Sequence, residues 1–380
     1  MATGLPGEMR GWPPSDFVPI DCTGQQVRGV WVTRWDFRAP RDIAEIVKNA
    51  ALGGLNRIYL QVRGEADAYY LSSVEPWAMA LTGTLGKDPG WDPLQTALEA
   101  AHAQGIEVHA WLNAATLWRG PTPPGRSSPE HIFRKHPEWK VVHGGGPGQG
   151  PPDPYVFASV AHPDFQDHLE KVLGDLVERY AVDGVHLDYI RYPSKDTSHD
   201  SKSLELYRRA REEAPGLSQA DWQRQQLTAF VTRLTRRAHQ LRPAVQVSAA
   251  VTGICRNRWG WLAVSEGCVD FYQDSPVWGM SRAVDALHPM IYWPPTNPPG
   301  GKTDFRTLSK EFAWLQQYVD VVPGVNVAAG DLATLKSEIR IAREAGYCGV
   351  VLFSYSLLKE RGWFDKLKEA FAPISNVGQK

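Results

Sequence analysis

The sequence predicts an α/β fold, a (β/α)8 TIM barrel built as a single domain with long loops at the C-terminal face of the strands. Three observations carry this expectation. Eight short apolar runs alternate with amphipathic helical segments along the chain. Long connections, one of them rich in Gly and Pro, follow the C-terminal ends of those runs, where a barrel builds its active site. No G-x-G-x-x-G or G-x-x-x-x-G-K-[ST] follows any strand, so the competing doubly wound nucleotide-binding sheet has little support.

The strands are expected at 28–35, 57–63, 106–112, 182–190, 245–251, 284–292, 321–328 and 349–355, each a run of β-formers bounded by polar or turn residues. Helical periodicity places helices at 41–52, 92–104, 164–180, 220–241, 306–319, 332–345 and 363–371. Asp92-Pro93 and Pro163-Asp164 supply helix starts, and Gly105 and Gly346 sit where C-caps belong. Residues 64–91, 119–158, 191–220 and 252–283 are the long connections. Residues 1–26 read as an irregular lead-in, 27–372 as the barrel and 373–380 as a tail.

Charge narrows the function. Lys+Arg is 41 and Asp+Glu is 42, a balance that argues against a dedicated binder of nucleic acid or anionic membrane. No apolar run reaches the roughly 18 residues that a membrane span needs. The first residues, MATGLPGEMRGWPPSDF, lack an apolar core, so no secretory signal is expected in the chain as given. The default setting is cytoplasmic, or envelope and secreted if an export signal was removed. Cys22, Cys255, Cys268 and Cys348 form no C-x-x-C pair. They are expected as four free thiols in a reducing compartment, with a Cys255–Cys268 disulfide as the alternative. A monomer is the default, and no cofactor or metal is expected.

Strand alternation sorts the candidate site residues. Gln61 and Arg63 share one parity, as do His109, Trp111 and Asn113, then His186 and Asp188, then His288, Met290 and Tyr292. Buried polar groups converging in this way are costly unless bonded or in use. Asp188, at the end of the apolar strand in GVHLDYIRYP, is the first candidate for catalysis. Its plain alternative is an ion pair with Arg191 or Arg63, or a cap on the next turn. Glycoside cleavage asks for a second carboxyl group. Asp274 in YQDSPVW leads; Glu65 and Asp67 follow, and Asp36, Glu266 and Asp331 remain. Recurrent Trp and Tyr at strand ends, with Asp, His, Asn and Arg, are the composition expected of a sugar-binding groove.

These motifs resemble the bacterial glycosyl-hydrolase-like family ten. The matching segments include RGVWVTRWD (28–36), the stretch 59–94, AHAQGIEVHAWLN (101–113), VDGVHLDYIRYP (182–193), YQDSPVW (272–278), VDALHPMIYW (284–293) and GYCGVVLFSY (346–355). The resemblance implies a (β/α)8 glycosidase, some members of the family being hydrolases of peptide-free peptidoglycan strands. It implies that Arg63, Asp67, Tyr70, His109, Trp111, Asn113, His186, Asp188, Tyr189, Asp274, Tyr292 and Trp293 are the characteristic polar and aromatic positions. Two residues depart from the family pattern: Gly64 and Ala114 stand where Pro is often found.

The expected function is hydrolysis of a glycosidic bond in an amino-sugar polysaccharide, most plausibly peptidoglycan glycan strands, by a two-carboxylate mechanism. Asp188 would act with Asp274 or Glu65. Substrate would be held by Arg63, Asp67, Tyr70, His109, Trp111, Asn113, His186, Tyr189, Tyr292 and Trp293. Arg63 is assigned to a bidentate contact with a lactyl or uronic carboxylate. Two alternatives stand beside this: a glycan-binding barrel without catalysis, and a metal-dependent hydrolase using His109, His186 and His288.

Overall fold

The computed structural model describes residues 26–144, 154–296 and 303–372. Eight parallel strands close a barrel: β1 (Val27–Val32), β2 (Arg57–Arg63), β3 (Glu107–Asn113), β4 (Gly184–Asp188), β5 (Gln246–Thr252), β6 (Ala286–Ile291), β7 (Gly324–Asn326) and β8 (Gly349–Phe353). Each pairs in parallel with its neighbours in chain order, and β8 pairs with β1 to complete the ring. Parallel neighbours need a crossover, and helices supply it. The Pro40–Leu52 helix shows why: Ile43, Ile46, Val47 and Ala50 fall on one face and are buried. Among the described residues no helix is long and apolar enough to cross a membrane.

The expected strand at 321–328 is broken in two. Asp320–Val321 pairs with Ala286 and Leu287 of β6, and β7 begins only at Gly324. Pro323 between them has no N–H to give to the ladder. The connection 191–220 holds a further helix, Ser201–Glu213, N-capped by the Asp200 carboxylate. Its apolar side is thin and buries little, so periodicity does not announce it. The 119–158 connection likewise starts from an antiparallel pair, Thr116–Arg119 with Tyr155–Phe157. Residues 1–25 of the 1–26 lead-in and the tail 373–380 lie outside the described residues.

Alternation divides the core. Ile58, Leu60 and Val62 of β2 pack outward under the helices, while Trp31, Tyr59, Trp111, Val322 and Val351 form a separate cluster inside the barrel. The interior histidines belong to that inner layer. Trp31 donates its indole N–H to His186 Nε2 at 3.0 Å, and His186 Nδ1 lies 2.9 Å from Ser248 Oγ. Tyr59 Oη and His288 Nε2 are 3.2 Å apart, and His288 Nδ1 reaches the Val322 carbonyl at 2.9 Å. Burial holds His109, His186 and His288 below the usual imidazole range, His288 at about 3, so His186 and His288 are neutral packing groups.

β2 carries the irregularity that matters most. Gln61 pairs with Trp111 but Arg63 pairs with Leu112, a bulge that spends two residues against one. Arg63 is thereby turned out of the interior parity. It forms a fork with Glu75, Nε to Oε2 at 2.8 Å and Nη2 to Oε1 at 2.8 Å, with both side chains fully buried. Its third edge donates to the carbonyls of Asn113 and Ala114 at the end of β3. His168 Nε2, from the Pro163–Arg179 helix, stands 3.1 Å from Glu75. Burial alone would raise the Glu75 carboxyl; the Arg63 guanidinium and His168 overcome it and hold the group down at about 2.

The free-thiol expectation is overturned. Cys255 and Cys268 form a disulfide, Cys348 is also disulfide-bonded, and no cysteine among the described residues is free; Cys22 lies outside them. The chain after β5 returns on itself, with Gly267 N–H donating to Ile254 O at 2.7 Å and Cys268 N–H to Cys255 O at 3.0 Å. That return brings the Cα atoms of Cys255 and Cys268 to 5.2 Å across 13 residues of sequence, within the range a disulfide needs.

Removing one partner of the buried fork leaves an uncompensated charge. Arg63→Ala is expected to lower stability by about 3–5 kcal/mol in urea unfolding. Because the folded pKa of Glu75 lies below its ordinary value of 4.5, its contribution is present above about pH 4.5 and is lost as pH falls toward 2. The difference between wild type and Glu75→Gln should therefore shrink on acidification over that window, and a constant difference would remove the fork from the account.

Candidate active site

An open cleft of about 270 Å³ lies over the C-terminal ends of the strands. Asp188, the last residue of β4, lies in its lining. Tyr189 follows in the left-handed region at φ 49°, so the chain turns sharply, and its N–H donates to Asp188 Oδ1 at 2.7 Å. Burial raises the Asp188 carboxyl from 3.8 to about 6, against the opposing pull of the Tyr189 N–H and the Arg191 charge. The Trp111 indole N–H, buried and without a completed hydrogen bond, adds a smaller pull in the same direction. A carboxyl group poised near 6 can give or take a proton close to neutral pH.

The strand register builds the floor. Asn113 of β3 stands beside Asp188 and Trp111 beside His186. Gln61 donates to Asn113 Oδ1 at 3.0 Å and accepts the Arg34 N–H at 3.0 Å, which locks β1, β2 and β3 together beneath the cleft. Tyr292 stacks on Phe353 with centroids 5.5 Å apart. On the other side, Tyr155 packs against Tyr189 at 5.4 Å and accepts an Arg34 N–H at 3.0 Å. Arg34 lies under the half-exposed Trp35 ring at 4.4 Å and pairs with Glu65 at 2.6 Å. Rings on the walls with a few placed polar groups suit a sugar, whose faces are apolar and whose rim carries hydroxyls.

A family model described as "Glycosyl hydrolase-like 10" matches residues 26–322. The chain belongs to that family. Glycosyl hydrolase YngK of Bacillus subtilis (strain 168) is 26% identical over 297 residues, covering 73% of this chain and 56% of YngK. The chain thus spans little more than half of YngK's length. Glycosyl hydrolase DigH of Escherichia coli (strain K12) is 27% identical over 331 residues, covering 76% of this chain and 71% of DigH. Among solved structures, the PgaB (BpsB) glycoside hydrolase domain from Bordetella bronchiseptica superposes with a TM-score of 0.64 at 14% identity, over 93% of this chain and all of that domain. The beta-amylase catalytic domain from Paenibacillus polymyxa gives 0.64 at 10% identity, over 92% of this chain and all of that one. Such low identities establish the shared barrel alone.

In this glycosyl hydrolase-like chain, the cleft gathers Asp188, Trp111, Asn113, Tyr189 and Tyr292 from the sequence candidates. The others stand elsewhere. Arg63 is fully buried in its fork with Glu75, away from the cleft. His109 and His186 lie in the buried inner layer, and with His288 they form no metal-holding group among the described residues. Asp67 accepts the N–H groups of Gly64 and Glu65 and fixes that turn. Tyr70 is buried against Tyr180, and Trp293 packs near Gly253. Glu65 is outside the lining, tied to Arg34 and to the Arg119 N–H. Asp274, also outside it, sits at the start of the Ser275–Met280 helix near the Cys268 sulfur.

Residues not singled out for the site also line the cleft: Trp31, Thr33, Arg34, Arg191, Tyr155 and Phe353 among them. The first three lie in RGVWVTRWD, a segment already recognisable as a motif. Tyr155 comes from an irregular connection and carries no sequence signal.

Burying the Asp188 charge costs stability. Its folded pKa is raised above the unfolded one, so the folded state holds extra proton between about pH 4 and 6, and stability falls as pH rises through that window. A shift of about two pH units corresponds to at most about 3 kcal/mol. Asp188→Asn should raise the thermal midpoint by a few degrees at pH 8, and the gain should vanish below pH 4. A midpoint that falls instead would mean that Asp188 is a structural anchor.

Proposed function

We propose that the chain is a glycoside hydrolase of amino-sugar polysaccharides, with the glycan strands of peptidoglycan as the favoured substrate and Asp188 as the proton donor to the departing glycosidic oxygen. The observation that carries this is a carboxyl group with a pKa of about 6 at a strand end, in a cleft walled by Trp35, Trp111, Tyr155, Tyr189 and Tyr292. Proton transfer to the leaving oxygen is what an aglycone needs, since an alkoxide leaves poorly near neutral pH. Membership of the glycosyl hydrolase-like family supports the same reaction class. The disulfides support an oxidising compartment, where envelope glycans are found. The proposal departs from the expected two-carboxylate mechanism: Asp274 and Glu65 both stand outside the cleft lining, and Glu65 acts through Arg34 as a positioning group. The attacking group on the opposite sugar face is then a water or a substituent of the sugar itself.

One observation favours a second reading. Among the described residues, Asp188 is the one carboxylate in the cleft lining. A glycan-binding barrel without catalysis needs no second one.

The deciding measurement is reducing-end release from peptide-free glycan strands by wild type and by Asp188→Asn at matched folded fractions. Release by wild type and none by the variant is expected. The variant is also expected to keep its affinity for the strands. Wild-type kcat should fall as pH rises above about 6, by about tenfold per unit, because the donor must be protonated. Binding without release by wild type would establish the second reading.

A further inference from the structure

We propose that Arg191 recognises a carboxylate carried by the substrate sugar, so that the cleft selects glycans with an anionic substituent. The proposal rests on the reading of the cleft as a glycan site. Arg191 lies in the cleft lining, just past Asp188. Its guanidinium is held over Phe271 at 4.4 Å and over Tyr189 at 5.1 Å. Ring contacts fix the plane of the guanidinium while leaving its N–H edges open. Among the described residues those N–H groups make no hydrogen bond, while the charge acts on the neighbouring Asp188 carboxyl.

The neighbouring cation behaves differently. Arg34 spends its donors on Glu65 and Tyr155, so its charge is already matched. Among the described residues Arg191 has no such hydrogen-bonded partner, and the carboxyl beside it, Asp188, gives up its charge below about pH 6. A guanidinium whose plane is already held by two rings, with its N–H edges toward the cleft, is preorganised for an anionic ligand. The matching ligand is planar, anionic and bidentate, which is a carboxylate. On a sugar this means a lactyl ether or a uronic acid, and both present the same two oxygens. The role given to Arg63 on sequence grounds thus passes to Arg191, because the β2 bulge turns Arg63 away.

The test compares three oligosaccharide sets: peptide-free glycan strands, the same strands with carboxyl groups reduced to alcohols, and uronic-acid oligosaccharides. Affinity is read by calorimetry and KM by reducing-end release. Wild type is expected to bind the carboxylate-bearing strands about 10- to 100-fold more tightly than the reduced ones. Arg191→Gln should collapse that ratio toward one, and Arg191→Lys should restore part of it. Equal wild-type affinity for native and reduced strands overturns the proposal, and this comparison requires no variant. An Arg191→Gln that lowers kcat on both strand types while preserving their ratio also overturns it, since the residue would then act only through the Asp188 proton. Tighter binding of the uronic oligosaccharides than of the native strands would assign the carboxylate to a uronic acid, and the reverse to the lactyl group. Absence of cleavage by wild type fails the hydrolase reading alone, because the calorimetric ratio still reports on Arg191.

Discussion

The buried fork between Arg63 and Glu75 is the constraint on which the face of the barrel depends. It ties the end of β2 to the 64–91 connection, to the carbonyls at the end of β3 and, through His168, to an outer helix. Breaking even one edge would leave a charge in a site with no water to receive it. A hydrophobic plug could fill the same space, but it would not fix the direction in which the chain leaves β2. The fork does fix it, and the consequence is felt one turn away. With Arg63 drawn outward by the bulge, Gln61 is the last interior residue of β2, and its amide joins Arg34 to Asn113. The cleft floor is therefore set by a contact that never reaches the cleft.

Beneath that floor the barrel is polar but neutral. The Trp31–His186–Ser248 and Tyr59–His288–Val322 chains match donors with acceptors, so histidines can fill a core without carrying charge. This neutrality bears on Asp188. A protonated imidazole below it would hold its pKa down. The neutral layer provides burial without compensating charge, and the pKa moves up to about 6. The partners that restrain the shift are the Tyr189 N–H, Arg191 and Trp111, all from its own loop or the next strand. An acid suited to proton transfer is produced by packing more than by any single partner.

Much of this was legible in the sequence, and the boundary has physical causes. Period-two alternation located β2, β3 and β4 and put Asp188 and Trp111 inside, because the pleat allows nothing else. The same rule misplaced Arg63, since one inserted residue reverses parity and a bulge has no fixed composition. It also put His109 and His186 inside correctly while saying nothing of depth. Strand parity distinguishes in from out, and it does not distinguish the layer that meets substrate from the layer below. Cys255 and Cys268 were the nearest pair in sequence, yet only the return of the chain onto Ile254 and Cys255 shows that they meet. Tyr155 reaches the cleft from a connection whose path no periodicity encodes. Arg34 and Arg191 were visible as residues and ambiguous as partners, because an arginine can serve many carboxylates and only the fold chooses between them.

Gly64 shows how such a choice is made. The family often has Pro after the position of Arg63, and this chain has Gly. A Cβ at that position would meet the Arg34 guanidinium directly. Absence of a side chain is therefore what lets Arg34 lie under Trp35, bind Glu65 and reach Tyr155. The Gly64 carbonyl in turn accepts the Thr116 hydroxyl at 2.7 Å, at the start of the antiparallel pair that carries Tyr155. One missing side chain thus joins the end of β2 to the wall of the cleft opposite Tyr292. It also decides the fate of Glu65. With Arg34 seated beside it, that carboxylate is committed to an ion pair.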